Sequence, residues 1–172
     1  MQTASRTQER DDLSAALAKQ RSFLRQTVRG ITDAQAAMRT TPSELCLGGI
    51  LKHVSMVEQR WMRFILEGPS VLSSGMDAAA MEAHAATFRM LPDDTVESLL
   101  AAYAEAAAGT ETLLYEIESL DASQPLPPAP WFEPGARWSA RAVLLHVIRE
   151  TAQHSGHADI IREAIDGSKT MG

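Results

Sequence analysis

The chain has 172 residues and a formal net charge of −6, and its acidic and basic side chains are interspersed rather than clustered. Nucleic-acid affinity depends on clustered cations, so this distribution argues against a nucleic-acid partner. A single cysteine, Cys46, excludes an internal disulfide, and neither a signal core nor a run long enough to span a bilayer is present. We therefore expect a cytoplasmic protein with no membrane partner, folded as one domain over residues 1–172.

The composition favours helices over sheets, because alanine is abundant, aromatic residues are few and β-branched residues rarely run together. The first predicted helix covers about residues 8–29, where Leu13, Leu17 and Leu24 recur at intervals of about one turn or its multiples. Gly30 is typical of the position that follows the C-terminus of a helix.

The second predicted helix begins within residues 41–44, where Thr-Pro-Ser-Glu has the form of a capping box with proline at the first helical position. Gly48 and Gly49 leave the course of its first turn open. Apolar residues at intervals of three and four then extend the helix to about Glu67, where a Gly-Pro pair ends it.

A long crossing separates the second helix from the third. Residues 68–94 mix helix breakers with a short helical stretch, and His84 within this segment is expected to be exposed. Asp94 resembles an N-terminal cap for a third helix of about residues 95–119.

The prolines between residues 124 and 135 exclude a helix there, and a loop of this length is expected to form the rim of a pocket. Ser139 can then cap a fourth helix over about residues 140–166, which Gly167 ends. Four long helices with a long crossover between the second and third predict an all-α four-helix bundle, whose seam commonly holds metals and cofactors.

Two side chains of the fourth helix can bind one small ligand together, because Glu150 and His154 are one turn apart. His53 lies beside the apolar stripe of the second helix and is expected to face the same seam. Burying these groups costs on the order of several kcal/mol unless they are paired or bind a metal. Two histidines and one glutamate with an open position suit a divalent ion such as Zn²⁺. A solvated Glu–His pair without a metal is the alternative.

The segments "LGGILKHVSMVEQRW" and "WSARAVLLHVIRETAQHSGHADIIREAIDG" resemble the two signature segments of the DinB-like superfamily, in its mycothiol-dependent branch. The resemblance implies a four-helix bundle whose metal is held by His53, Glu150 and His154, a ligand set similar to that of mycothiol-dependent maleylpyruvate isomerase. That isomerase carries an additional C-terminal domain, so a single-domain mycothiol S-transferase fits this length better.

The implied activity is that of a zinc-dependent thiol S-transferase, a detoxification enzyme in which mycothiol attacks an electrophile such as a haloalkane, an epoxide or an activated aromatic compound. A metal-dependent hydrolase and a non-catalytic metal-binding stress protein remain open, because the ligands do not separate these functions. The non-catalytic alternative requires His146 or His157 to close the fourth position. A homodimer is also left open.

Further residues are candidates for the surroundings of the site. His157 lies on the same side of the helix as His154 and could accept a proton, with structural pairing as the equal alternative. Trp61 and Arg162 are candidate substrate-binding residues, although core packing and salt bridges are the commoner roles of such side chains. Glu58 is a further candidate for the pocket wall.

Overall fold

The computed structural model describes residues 2–72 and 78–170 and is dominated by four long helices. Two short helices, a single 3-10 turn and a two-stranded antiparallel sheet lie in the connections. In chain order the helices and strands are α1 (Gln2–Thr27), α2 (Asp33–Ala36), α3 (Leu47–Glu67), the 3-10 turn (Pro69–Leu72), α4 (Ala78–Ala86), α5 (Val96–Glu116), β1 (Ser123–Pro125), β2 (Arg137–Ser139) and α6 (Ala140–Asp166).

The four long helices form a bundle in which each packs against two others. Helix α3 contacts α5 and α6, and α1 contacts the same two helices, so α1 and α3 are diagonally opposite. The prediction of an all-α four-helix bundle with a long crossover between its second and third helices is confirmed. Within the described residues, no helix combines the length and the apolar character that crossing a membrane requires.

The start of α3 differs from the prediction, because the capping box expected within residues 41–44 does not form. The hydroxyl of Thr41 instead hydrogen-bonds to that of Ser43 at 2.9 Å, and the chain stays irregular up to the first residue of α3. Cys46 is the N-cap, and its Sγ accepts the backbone N–H of Gly49 at 3.4 Å.

The starts of two other helices also differ from the prediction. Helix α2 was not predicted, although Thr32 and Gln35 form a capping box at its N-terminus. The cap of α5 is Thr95 rather than Asp94, so that prediction was wrong by one residue. The Asp94 carboxylate is engaged elsewhere, since it pairs with Lys52 Nζ at 2.8 Å.

Both ends of α6 agree with the prediction. Ser139 Oγ accepts the backbone N–H of Ala142 at 3.1 Å, and Gly167 adopts a left-handed conformation with φ of 79°. The proline-rich loop before α6 is not helical, as expected, but its flanks pair as β1 and β2, which the sequence did not reveal. Residues 126–129 and 132–135 of this loop line a groove of about 270 Å³, so the loop forms a pocket from its own residues.

A polar layer crosses the centre of the bundle along the α1–α3 diagonal. Arg21 and Glu58 form an ion pair in which the two residues are 4% and 0% exposed. Thr110 Oγ1 donates to Glu58 at 2.5 Å, and Arg21 also bonds Glu111 at 2.9 Å. Glu58 therefore belongs to the core and does not line a pocket, contrary to the sequence-based candidate role.

This polar layer separates two apolar clusters, both contributed by all four long helices. The buried residues of one cluster are Leu13, Leu17, Trp61, Met62, Phe64, Leu114, Leu120, Ala140, Val143, Leu144 and Val147. Those of the other are Leu24, Val28, Leu47, Ile50, Leu51, Val54, Leu99, Tyr103, Ala158 and Ile161.

Replacing Arg21 with methionine is expected to lower the free energy of unfolding by about 3–5 kcal/mol, because Glu58 is left buried without its partner. The double variant Arg21→Met/Glu58→Leu should recover most of this loss, since both charges are removed together. Chemical denaturation measures the free energy of unfolding of the unchanged protein and of both variants. The exposed pair of Arg63 and Glu67 provides the control: Arg63→Met should leave stability nearly unchanged. An Arg21→Met variant as stable as this control would contradict the prediction.

Candidate metal centre

Three side chains from α3 and α6 meet at the seam between these helices. His53 lies in the second turn of α3, while Glu150 and His154 lie one turn apart on α6. One potential ligand atom from each residue lies within 4.8 Å of the other two. Around a tetrahedral ion about 2.1 Å from each donor, the donor atoms would be roughly 3.4 Å apart. Modest side-chain rotations would bring the three ligand atoms to that spacing. The geometry therefore fits a divalent metal.

The two imidazoles are in the protonation state that metal ions bind. Burial, together with the neighbouring imidazoles of His154 and His84, lowers the pKa of His53 to about 3. Burial and the nearby His157 likewise lower the pKa of His154 to about 4. Both rings are therefore neutral near pH 7, where each has a free lone pair for a metal.

The site is closed on the α3 side and more open on the α6 side. His53 is only 7% exposed, whereas the side chains of His154 and Glu150 are 12% and 26% exposed. His154 Nε2 lies 3.8 Å from Glu150 Oε2, which leaves space between them. A small molecule could therefore approach from the α6 side without displacing the buried histidine.

The crossover segment supplies neighbours that the sequence did not identify. The ring of Phe88 stacks on that of His53 with a centroid distance of 3.9 Å and an interplanar angle of 23°. Thr87 Oγ1 lies 3.0 Å from His53 Nδ1. His84 is exposed, as predicted, yet its ring centre lies 5.9 Å from that of His53. The crossover thus covers the α3 side of the site.

His157 lies beside the candidate ligands, where the sequence placed it. Its ring centre is 5.5 Å from that of His154, and the residue is half-buried. In the described part of the chain, Nδ1 of each of these two histidines is buried without a hydrogen-bond partner. Neither nitrogen is therefore committed to a structural hydrogen bond, and a proton-accepting role for His157 stays a prediction.

Trp61 lies about two turns along α3 from His53, inside an aromatic cluster at one end of the bundle. Its ring stacks on Trp138 at a centroid distance of 4.9 Å, with His146 at 4.8 Å and an edge of Phe64 at 5.2 Å. Packing within this aromatic cluster is sufficient to explain the positions of Trp61 and His146. Substrate binding by Trp61 stays a prediction.

Arg162 is buried and its guanidinium is engaged within the bundle. It donates to the Asp166 carboxylate at 2.9 Å and to the backbone carbonyls of Thr27 and Arg29 at 2.8 and 2.9 Å. These bonds tie α6 to the end of α1 and favour the structural alternative. The predicted contact with a carboxylate of the thiol cosubstrate stays a prediction.

The fold of this chain is similar to that of a solved structure. The crystal structure of a conserved protein from Enterococcus faecalis is similar, with a TM-score of 0.68 and 16% sequence identity over 92% of this chain and 97% of that one. At this identity the similarity shows the fold alone. No curated protein matches the chain.

A family model described as mycothiol-S-transferase matches residues 12–167. The match covers α3, α5 and α6, the part of α1 from residue 12 onward and all three candidate ligands, and so spans most of the chain. The chain therefore belongs to the mycothiol-S-transferase family.

Proposed function

We propose that the protein is a metal-dependent S-transferase that joins a low-molecular-weight thiol, mycothiol, to an electrophilic small molecule. The supporting observation is the convergence of His53, Glu150 and His154 at one seam in a member of this family. In this proposal the three residues hold a divalent ion, and zinc is the candidate that this ligand set favours. The chemistry such an ion supplies is Lewis acidity, which lowers the pKa of a nearby thiol.

The residues of the site have distinct roles in this proposal. The neutral rings of His53 and His154 donate lone pairs, while Glu150 contributes one negative charge and leaves a net positive site when a divalent ion is present. Phe88 covers the His53 ring and excludes water from that face. The exposed side at Glu150 gives the thiol and the electrophile access.

The transfer forms one bond and breaks another at the electrophilic carbon. The thiol sulfur bonds to that carbon, the leaving group departs with the electron pair of its bond, and the thiol proton passes to a base. His157 is the candidate base, because it lies beside His154 and its Nδ1 has no partner in the described part of the chain.

Protein purified without a histidine tag is expected to contain about one divalent ion per chain, as a site with one set of ligands requires. Glu150→Ala and His154→Ala should both lose the ion, because each removes a ligand. His146→Ala is the matched control, since this half-buried histidine lies one turn before Glu150 and instead contacts Arg149 at 2.8 Å. Elemental analysis measures the number of metal ions per chain. Metal-free protein that takes up no ion on titration would refute the proposed site.

The metal-loaded protein is expected to consume mycothiol in the presence of haloalkanes, epoxides or activated aromatic compounds. Glu150→Ala should reduce this rate by more than about 100-fold, beyond the loss typical of a residue that only supports a ligand. Thiol consumption and product mass measure the reaction, with bacillithiol as a comparison thiol. Ester or amide turnover without thiol would instead identify a hydrolase. No turnover, with lowered thermal stability of Glu150→Ala, would identify a structural metal.

Zinc affinity is expected to change little between about pH 7.5 and pH 5.5. Protons compete with zinc for an imidazole only near or below its pKa. With the pKa of His53 at about 3 and that of His154 at about 4, both rings stay neutral throughout this range. Two rings with ordinary pKa values would be about 90% protonated at the lower pH and together lose roughly 100-fold in affinity. Chelator competition measures the affinity, and a loss of that size would contradict the expectation.

A further inference from the structure

The crossover segment is attached to the same face of α3 that carries His53. Residues 84–90, which we call the docking segment, comprise the last residues of α4 and the turn that follows it, and they lie against the first two turns of α3. Cys46 Sγ donates to the carbonyl of Phe88 at 3.7 Å, and Lys52 Nζ donates to the carbonyl of Arg89 at 3.5 Å. These contacts hold the docking segment beside the candidate metal centre.

Gly48 and Gly49 make this close approach possible. A Cβ atom on Gly49 would lie 1.9 Å from the carbonyl oxygen of Phe88, and one on Gly48 would lie 2.2 Å from Met90 Sδ. The first of these clashes is with backbone and cannot be relieved by rotating a side chain. Gly49 also lies one turn before His53 on the same face of α3. The two glycines thus allow the docking segment to pack against α3 beside His53.

Hydrogen bonds within the docking segment determine how it contacts His53. The hydroxyl of Thr87 donates to the backbone carbonyl of His84 at 2.7 Å, so its only proton is used there. The same oxygen lies 3.0 Å from His53 Nδ1 and can only accept from that nitrogen. Nδ1 of His53 therefore carries the proton, and Nε2 keeps the lone pair.

We propose that Thr87 is a positioning residue that fixes the tautomer and ring orientation of His53, so that Nε2 is presented to the α3–α6 seam. A hydrogen bond from the non-ligating nitrogen of a metal-binding histidine is a general means of orienting the ring. Phe88 restrains the same ring by stacking on it. The effect on metal binding rests on the proposed function, whereas the tautomer itself is a property of the metal-free protein.

The other histidine of the site is not held in this way. His154 Nδ1 is buried and has no hydrogen-bond partner among the described residues. Its tautomer is therefore not fixed by a hydrogen bond at Nδ1. Of the two histidines, His53 is therefore the one whose ring is oriented before a metal binds. The residue that orients it, Thr87, lies 34 positions away in the sequence.

The tautomer can be measured directly by long-range proton–nitrogen correlation NMR on metal-free protein labelled with ¹⁵N-histidine. A spectrum of His53→Gln assigns the resonances of this ring. We expect Nδ1 protonated and Nε2 unprotonated in the unchanged protein and in Thr87→Ser, which keeps the hydroxyl. Thr87→Val should give a mixture of tautomers. It should also weaken zinc binding by about 10- to 100-fold, the usual effect of losing such a partner.

Thr40→Val is the matched control, because the Thr40 hydroxyl bonds the backbone carbonyl of Ile161 rather than a histidine ring. It should change neither the tautomer nor the zinc affinity. Protonated Nε2 with unprotonated Nδ1 in the unchanged protein would overturn the proposal, even if Thr87→Val did not fold. A folded Thr87→Val with the original tautomer would also overturn it. Failure of the unchanged protein to bind zinc or any other divalent ion would refute the proposed function and leave the tautomer measurement decisive.

Discussion

The buried ion pair between Arg21 and Glu58 is the interaction on which the arrangement of the bundle depends. It joins diagonally opposite helices, so it constrains their relative height as well as their separation. Charges in a low-dielectric interior must be paired and hydrogen-bonded, and Thr110 supplies a further donor to the carboxylate from α5. Apolar side chains could fill the two flanking clusters in several ways, whereas a change of register would leave a charge of this pair buried without its partner. The pair therefore favours the observed height of α3 relative to α1.

The candidate metal centre follows from that register. Glu58 points into the centre of the bundle, while His53 on the same helix lies at the seam with α6. Glu150 and His154 reach this level from α6, and the adjacent Thr151 is fully buried. The outer side of the seam therefore carries the candidate metal ligands, and its inner side is packed in the core. Burial also keeps the imidazoles neutral, which prepares them for a metal.

The crossover completes the site from outside the four-helix core. In a simple bundle this connection would only need to span the distance between α3 and α5. Here it returns to α3, where Gly48 and Gly49 leave room for its backbone and Thr87 and Phe88 contact His53. His53 is thus held by a hydrogen bond and by a stacked ring, whereas His154 on α6 is freer. A rigid candidate ligand beside a more accessible one suits the proposed reaction, in which two small molecules enter the site.

The sequence by itself determined the features that depend on neighbours within a few residues. Apolar spacing identified the four long helices, Ser139 and Gly167 marked the ends of α6, and a spacing of four residues paired Glu150 with His154. His53 was assigned to the same seam from its place beside the apolar stripe of α3 in the predicted bundle, and the family resemblance implied the same ligand, because no local pattern connects α3 with α6. Only the tertiary structure decided that Glu58 is buried in an ion pair and that Thr87 contacts His53. Capping and periodicity act over one or two turns, whereas these contacts join residues more than 30 positions apart and exist only once the helices have packed.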